Sequence, residues 1–122
     1  MPTPGATTVT ATDDRGVVVV TVHGDLDAAA APVLRRHLDD LLVAGRRNFV
    51  VDLAAVGLVD GSGFRALVGF FTRVRIGHGD VRVCALQPQV ARVFELLRLH
   101  RVFDAFADRD AAVAGFGLPG EG

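Results

Sequence analysis

Runs of β-branched apolar residues alternate along the chain with stretches whose apolar residues recur every three or four positions. That pattern predicts strands interleaved with amphipathic helices. Thr7 to Thr12 alternates threonine with valine and alanine, which predicts a short, half-exposed edge strand. Asp13-Asp14-Arg15-Gly16 reads as a turn in which Gly16 takes a positive φ. Val17 to Val22 is an almost unbroken β-branched run, as expected of a strand covered on both faces. So short a turn makes these two strands an antiparallel hairpin.

Leu34, Leu38, Leu41 and Leu42 then recur at helical spacing, opposite Arg35, Arg36, Asp39 and Asp40. Asp27 is placed to cap this first helix, which would run through Ala28-Ala29-Ala30-Ala31-Pro32 and stop at Gly45. Phe49 to Leu53 is the next strand, parallel to Val17–Val22 because a helix joins them. Phe64, Leu67, Val68 and Phe71 form the stripe of a second helix, which opens near Ser62–Phe64 and ends near Ile76-Gly77-His78-Gly79. Val81 to Ala85 is a third parallel strand. Gln87-Pro88-Gln89 opens a third helix with the stripe Val90, Val93, Phe94 and Leu97. Val102 to Phe106 adds a short last strand and Arg109 to Phe116 a final short helix. This order predicts an α/β fold, a single domain over residues 1–122 with a mixed, mostly parallel sheet of four to five strands. Its helices should pack mainly on one face. The ordered core should cover about residues 7–115, between a frayed Met1–Ala6 and a loose Gly117–Gly122.

Composition narrows the function classes. The chain has 122 residues, half of them hydrophobic and 22 % charged, which is the balance of a globular domain. A formal net charge of −1 lacks the basic excess of a nucleic-acid binder, so no direct nucleic-acid contact is expected. All 13 basic residues are arginine. Cys84 is the single cysteine, so no intrachain disulfide can form, and its apolar neighbours suit a buried thiol. No basic-then-apolar leader is visible, and no apolar stretch approaches the ~18–20 residues of a membrane span. A cytoplasmic protein without membrane insertion is the expectation.

The chain is organised around one unit: the strand ending at Leu53, a turn through Val59-Asp60-Gly61-Ser62-Gly63, and a helix opening at Phe64. Ser62 is the only serine in the sequence, and it falls where backbone N–H groups at a helix start favour negative charge. A hydrolase elbow would need Gly-x-Ser-x-Gly, but the flanking positions are Asp60 and Phe64, and no histidine has a reason to approach Ser62. Gly61-x-Gly63-x-x-Ala66 half-reads as a dinucleotide fingerprint, but Asp80 precedes a strand where a ribose-binding acid should follow one. A phospho-receiver could use Asp13, Asp14 and Asp52, but it also needs a lysine, and there is none. His23 and Asp25 are close but have no companion ligand cluster, so no metal, no cofactor and no catalytic residue is expected.

Gly24-Asp25-Leu26-Asp27 is similar to a Gly-Glu-Leu-Asp stretch, and Val51-Asp52-Leu53 through Val59-Asp60-Gly61-Ser62-Gly63-Phe64 to a "V-L-D-L…D-S-[ST]-G-L" segment. Val90 to Leu99, followed by Val102-Phe103, is similar to "V-x-R-V-L-E-L-x-G-L…V-F". Together, and in this order over about residues 8–115, these stretches resemble the STAS domain of bacterial anti-sigma factor antagonists. The resemblance implies a non-catalytic protein that docks on a cytoplasmic anti-sigma factor, often a serine kinase, and so releases a sigma factor. It implies partner contacts from Asp25, Asp27, Asp60, Gly61, Ser62, Gly63 and Phe64, and phosphorylation as the off switch. Any homodimer would be weak. STAS-like domains also serve as scaffolds in stress-sensing assemblies and as accessory subunits of lipid-transporting ABC systems. In the antagonists the phosphorylated serine directly follows the aspartate, where this chain has Gly61. Ser62 is therefore either a displaced acceptor or a helix N-cap. Phe64 would be a partner anchor if exposed, although its spacing with Leu67, Val68 and Phe71 suits the core.

Overall fold

The computed structural model describes residues 6–116, so the expectations for the ends of the chain lie outside the described residues. The first hairpin joins β1 (Thr8–Asp14) to β2 (Val17–His23), paired antiparallel from Thr8↔His23 to Asp14↔Val17. Its turn consists of Arg15 and Gly16, at φ 51° and 82°. Two consecutive positive φ values match the right-handed strand twist. Gly16 was the expected left-handed residue, and Arg15 joins it with its guanidinium on Asp14 at 3.0 Å.

Helix α1 (Ala31–Val43) starts later than the alanine run suggested. A helix begun at Ala28 would require Pro32 to donate to the Ala28 carbonyl, and proline has no N–H. With the start at Ala31, Pro32 falls in the first turn, where no donor is needed. The helix stops as expected: Gly45 takes φ 89°, its N–H donates to Leu42 O at 2.9 Å, and Arg46 N–H donates to Leu41 O at 3.1 Å.

Strand β3 (Asn48–Ala55), helix α2 (Gly61–Ile76), strand β4 (Asp80–Cys84) and helix α3 (Pro88–Leu96) follow. A single 3-10 turn at Leu99–Arg101 leads to β5 (Asp104–Phe106) and α4 (Arg109–Ala114). The sheet order is β1-β2-β3-β4-β5, antiparallel only in the first pair. The mixed, mostly parallel α/β sheet is thus the one expected from the pattern.

Alternate residues of the strands face two different cores. Val18, Val20, Val22, Phe49, Val51, Leu53, Val81 and Val83 meet Leu34 and Leu38 of α1, Phe64, Leu67 and Phe70 of α2, and Val90 and Phe94 of α3. Phe49 and Phe70 stack edge to face at 4.9 Å. On the other face Val17, Val19, Val50 and Cys84 are covered by Ala112 and Val113 of α4. Three helices on one face and one on the other explain why β2 and β3 are apolar on both sides. Leu97 departs from its expected place in the core: it ends α3 and is 55 % exposed.

Candidate partner-binding site

The two motif loops leave the carboxyl ends of adjacent parallel strands and are stitched to each other. After β2 the chain passes through Gly24 at φ 123°, where a side chain would press on Thr7, 2.9 Å from its hydroxyl oxygen. Thr7 Oγ1 donates to the Asp25 carbonyl at 2.5 Å. Leu26 N–H then donates to Leu58 O at 2.8 Å, and Asp60 N–H donates to Leu26 O at 3.1 Å. This is a one-residue parallel bridge between Leu26 and Val59 that extends the sheet past its last regular pair. Asp25 and Ser62 accordingly lie at the same, carboxyl end of the sheet, the end at which open α/β sheets place their sites.

Asp60 does the capping at this end. It sits at the N-cap of α2 in extended conformation, and its Oδ1 accepts from Gly63 N–H at 3.0 Å. Oδ2 accepts from Ala28 N–H at 3.2 Å, so one carboxylate holds the starts of both helical segments. Asp27 was expected to cap α1. It caps instead the turn just ahead of it, accepting at Oδ1 from Ala29 and Ala30 N–H at 3.2 and 3.0 Å, while Ala30 is the N-cap of the helix proper.

Ser62 is inside the first turn of α2, two residues beyond its cap, so the N-cap alternative is overturned: Asp60 already occupies that role. Ser62 is half-buried as a residue, and its hydroxyl accepts from Arg65 Nη2 at 3.2 Å in a bond exposed to solvent. Gly63 is buried against Leu26 and Val59, leaving no room for a side chain. Phe64 is only 7 % exposed and meets Phe94 edge to face at 5.3 Å, so it anchors α2 in the core and not on the surface.

These loops carry the family signature. The STAS domain profile matches residues 8–112. The chain belongs to the STAS domain family. It is 28 % identical over 116 residues to the anti-sigma-F factor antagonist RsfB of Mycobacterium tuberculosis, covering 94 % of this chain and 93 % of that protein. Over 96 residues it is 28 % identical to the anti-sigma-B factor antagonist of Bacillus subtilis, covering 79 % and 87 %. A crystal structure of an anti-sigma factor antagonist from Mycobacterium paratuberculosis superposes with a TM-score of 0.84 at 25 % identity, over 94 % of this chain and 97 % of that one.

Within the STAS domain, several residues that the sequence did not single out complete the surface. Gln87 Nε2 donates to Ala54 O at 2.9 Å, and Gln89 Nε2 donates to Gly57 O at 3.3 Å and to Gln87 Oε1 at 2.8 Å. The two amides pin the start of α3 to the loop after β3. The Asp25 carboxylate and both amides converge over Gly57, each 3.8–3.9 Å from where its side chain would begin. Leu58, 51 % exposed, projects from the same loop. Two glutamines around a proline at a helix start were the available signal, but nothing local says which carbonyls they reach. Asp52 does not belong to this surface: its Oδ1 accepts from Ala54 N–H at 3.0 Å, and its side chain lies on the α4 side, beside Cys84. Among the described residues no helix is long and apolar enough to cross a membrane.

Proposed function

We propose that this STAS domain is an anti-sigma factor antagonist. It binds a cytoplasmic anti-sigma factor that is also a serine kinase, through the surface at the carboxyl end of the sheet, and so releases a sigma factor. The observation that carries this reading is the Leu26–Val59 bridge, which fuses the two family motifs into one surface presenting Asp25, Asp27, Asp60, Gly61 and Ser62. Gly63 and Phe64 support that surface from beneath, through close packing and core anchorage. The names of the relatives point the same way. The protein has no catalysis of its own, no cofactor, and neither contacts nucleic acid nor enters a membrane. Any self-association is weak.

Phosphorylation of Ser62 is the off switch in this reading. A phosphate brings about −1.5 to −2 charges at pH 7 beside Asp60, and desolvating that cluster against a partner becomes costly. Modification should be slower than in relatives with serine in both positions, because the hydroxyl lies one residue further into the helix and is held by Arg65. The test is incubation with the host's anti-sigma kinase and ATP, followed by mass spectrometry and a binding assay. Ser62→Ala should abolish phosphate incorporation and keep partner binding, and Gly61→Ser should speed modification. Phosphate on a threonine would remove Ser62 from the switch. No phosphate, where the Gly61→Ser variant is fully modified, would describe an antagonist that stays on. Recovery of only an ABC ATPase from the native host would instead make the domain a transport accessory.

A further inference from the structure

Arg65 lies one helical turn beyond Ser62 and folds back over it. Its Nη2 donates to Ser62 Oγ at 3.2 Å, while Nη1 fills the space beside Gly61, 3.2 Å from where a Cβ at that position would sit. Arg15, Arg46, Arg73, Arg75 and Arg82 each reach a carboxylate. Arg65 is one of eight arginines with no ion pair among the described residues, but of those eight it alone donates a hydrogen bond from its guanidinium to another side chain. A guanidinium without an ion pair therefore rests on the sole serine of the chain, two residues after the Asp60 carboxylate that caps the helix, on the surface that also carries Asp25 and Asp27.

We propose that Arg65 is the built-in counter-charge for a phosphate on Ser62, so that the modified site carries a paired anion and not a bare one. This rests on reading Ser62 as the acceptor. A guanidinium fork that already donates to Oγ is placed to donate parallel N–H bonds to the phosphate oxygens that modification adds there. Gly61 supplies the room. A serine in its place would put its Cβ 3.2 Å from Nη1, so the guanidinium would have to shift by a few tenths of an ångström, a displacement that glycine spares it. The consequence is a graded switch: one positive charge offsets much of the roughly −1.5 to −2 that the phosphate brings.

The test uses the full-length protein with phosphoserine installed at position 62 during translation, so that no kinase is needed. The second ionisation of the phosphate, near pH 6 for an unperturbed group, is followed by ³¹P NMR. Asp25, Asp27 and Asp60 raise its midpoint in the parent and in the variants alike, and Arg65 lowers it. Arg65→Gln should raise the midpoint by about half a unit or more, as removing an opposite charge within ~4–6 Å does. The difference should shrink at high salt. Arg65→Lys should fall between the two, because it keeps the charge and loses the fork. Arg73→Gln, on the same helix but paired with Asp39, should change nothing. Equal midpoints in the parent and the Arg65→Gln variant would overturn the proposal. Failure of the host kinase to label Ser62 would overturn the switch reading instead, and it would leave this comparison intact.

Discussion

Helix α2 contains three glycines at which alanine should have opposite effects, although intrinsic propensity treats them alike. Glycine costs about 1 kcal/mol relative to alanine in a helix. At Gly69 the nearest group to an added methyl is the tip of Arg73 at 3.9 Å, so Gly69→Ala should stabilise by about 0.5–1 kcal/mol. At Gly61 only the mobile Arg65 guanidinium is close, so Gly61→Ala should be neutral to mildly stabilising. At Gly63 the methyl would collide with the Leu26 carbonyl oxygen and lie 2.8 Å from Leu26 Cγ and 3.0 Å from Val59 Cγ1. Neither the backbone nor the bridge can give way without moving α2 off the loop. Overpacking of this kind costs about 1–3 kcal/mol. Straining the Asp60 N–H to Leu26 O bond adds about 1 kcal/mol. After subtracting the propensity gain, Gly63→Ala should destabilise by about 1–3 kcal/mol. In urea unfolding, with m of about 1–3 kcal/mol/M, its midpoint should fall by roughly 1 M at unchanged m, while that of Gly69→Ala rises. Partner binding should weaken with the Gly63 change, because the two motif loops are pushed apart. A Gly63→Ala midpoint at or above that of the parent would refute the close approach of α2 to Leu26, and with it the fused surface.

Asp60→Ala removes both the cap and the tie to Ala28, and it should cost about 1–2 kcal/mol by urea unfolding. Asp60→Asn, which keeps one accepting oxygen, should lose less. Burial, with a smaller contribution from the Asp52 carboxylate and some relief from Arg109, pushes the Cys84 thiol up from 9.0 to about 12. A folded pKa above the unfolded one gives stability that is complete below pH 9 and lost as pH rises toward 12. Between pH 8 and 10 that loss should be about 1.4 kcal/mol. The chain has no lysine or tyrosine to obscure the slope, so Cys84→Ala should abolish it. Arg98 holds φ 58°, a left-handed conformation costing most side chains about 1–2 kcal/mol, and it stands where the family pattern has glycine. Arg98→Gly should therefore stabilise by about 0.5–1 kcal/mol in the same unfolding assay, after the extra chain entropy of glycine.

The order of elements, the parallel sheet, the antiparallel hairpin and the stop at Gly45 were all legible in the sequence. Each depends on residues close together in the chain: Val17–Val22 is β-branched throughout, and Leu34, Leu38, Leu41 and Leu42 repeat at the helical period. The motif loops could also be located, because small and acidic residues cluster where strands give way to helices. What tertiary structure decided was which aspartate caps which helix. Asp27 and Asp60 are equivalent as local signals, but Pro32 delays α1, and the Leu26–Val59 bridge brings Asp60 within reach of both Gly63 and Ala28. It also moved Ser62 from a cap to a helical position under Arg65, and it set Gln87 and Gln89 on carbonyls more than thirty residues away. Leu97 keeps the helical spacing yet is largely exposed, because α3 ends at Leu96 and, among the described residues, Leu97 joins neither core cluster. Periodicity reports which side of an element is apolar. Hydrogen bonds between loops depend on how those elements, once packed, bring distant backbone groups together, and that geometry is absent from any local stretch of sequence.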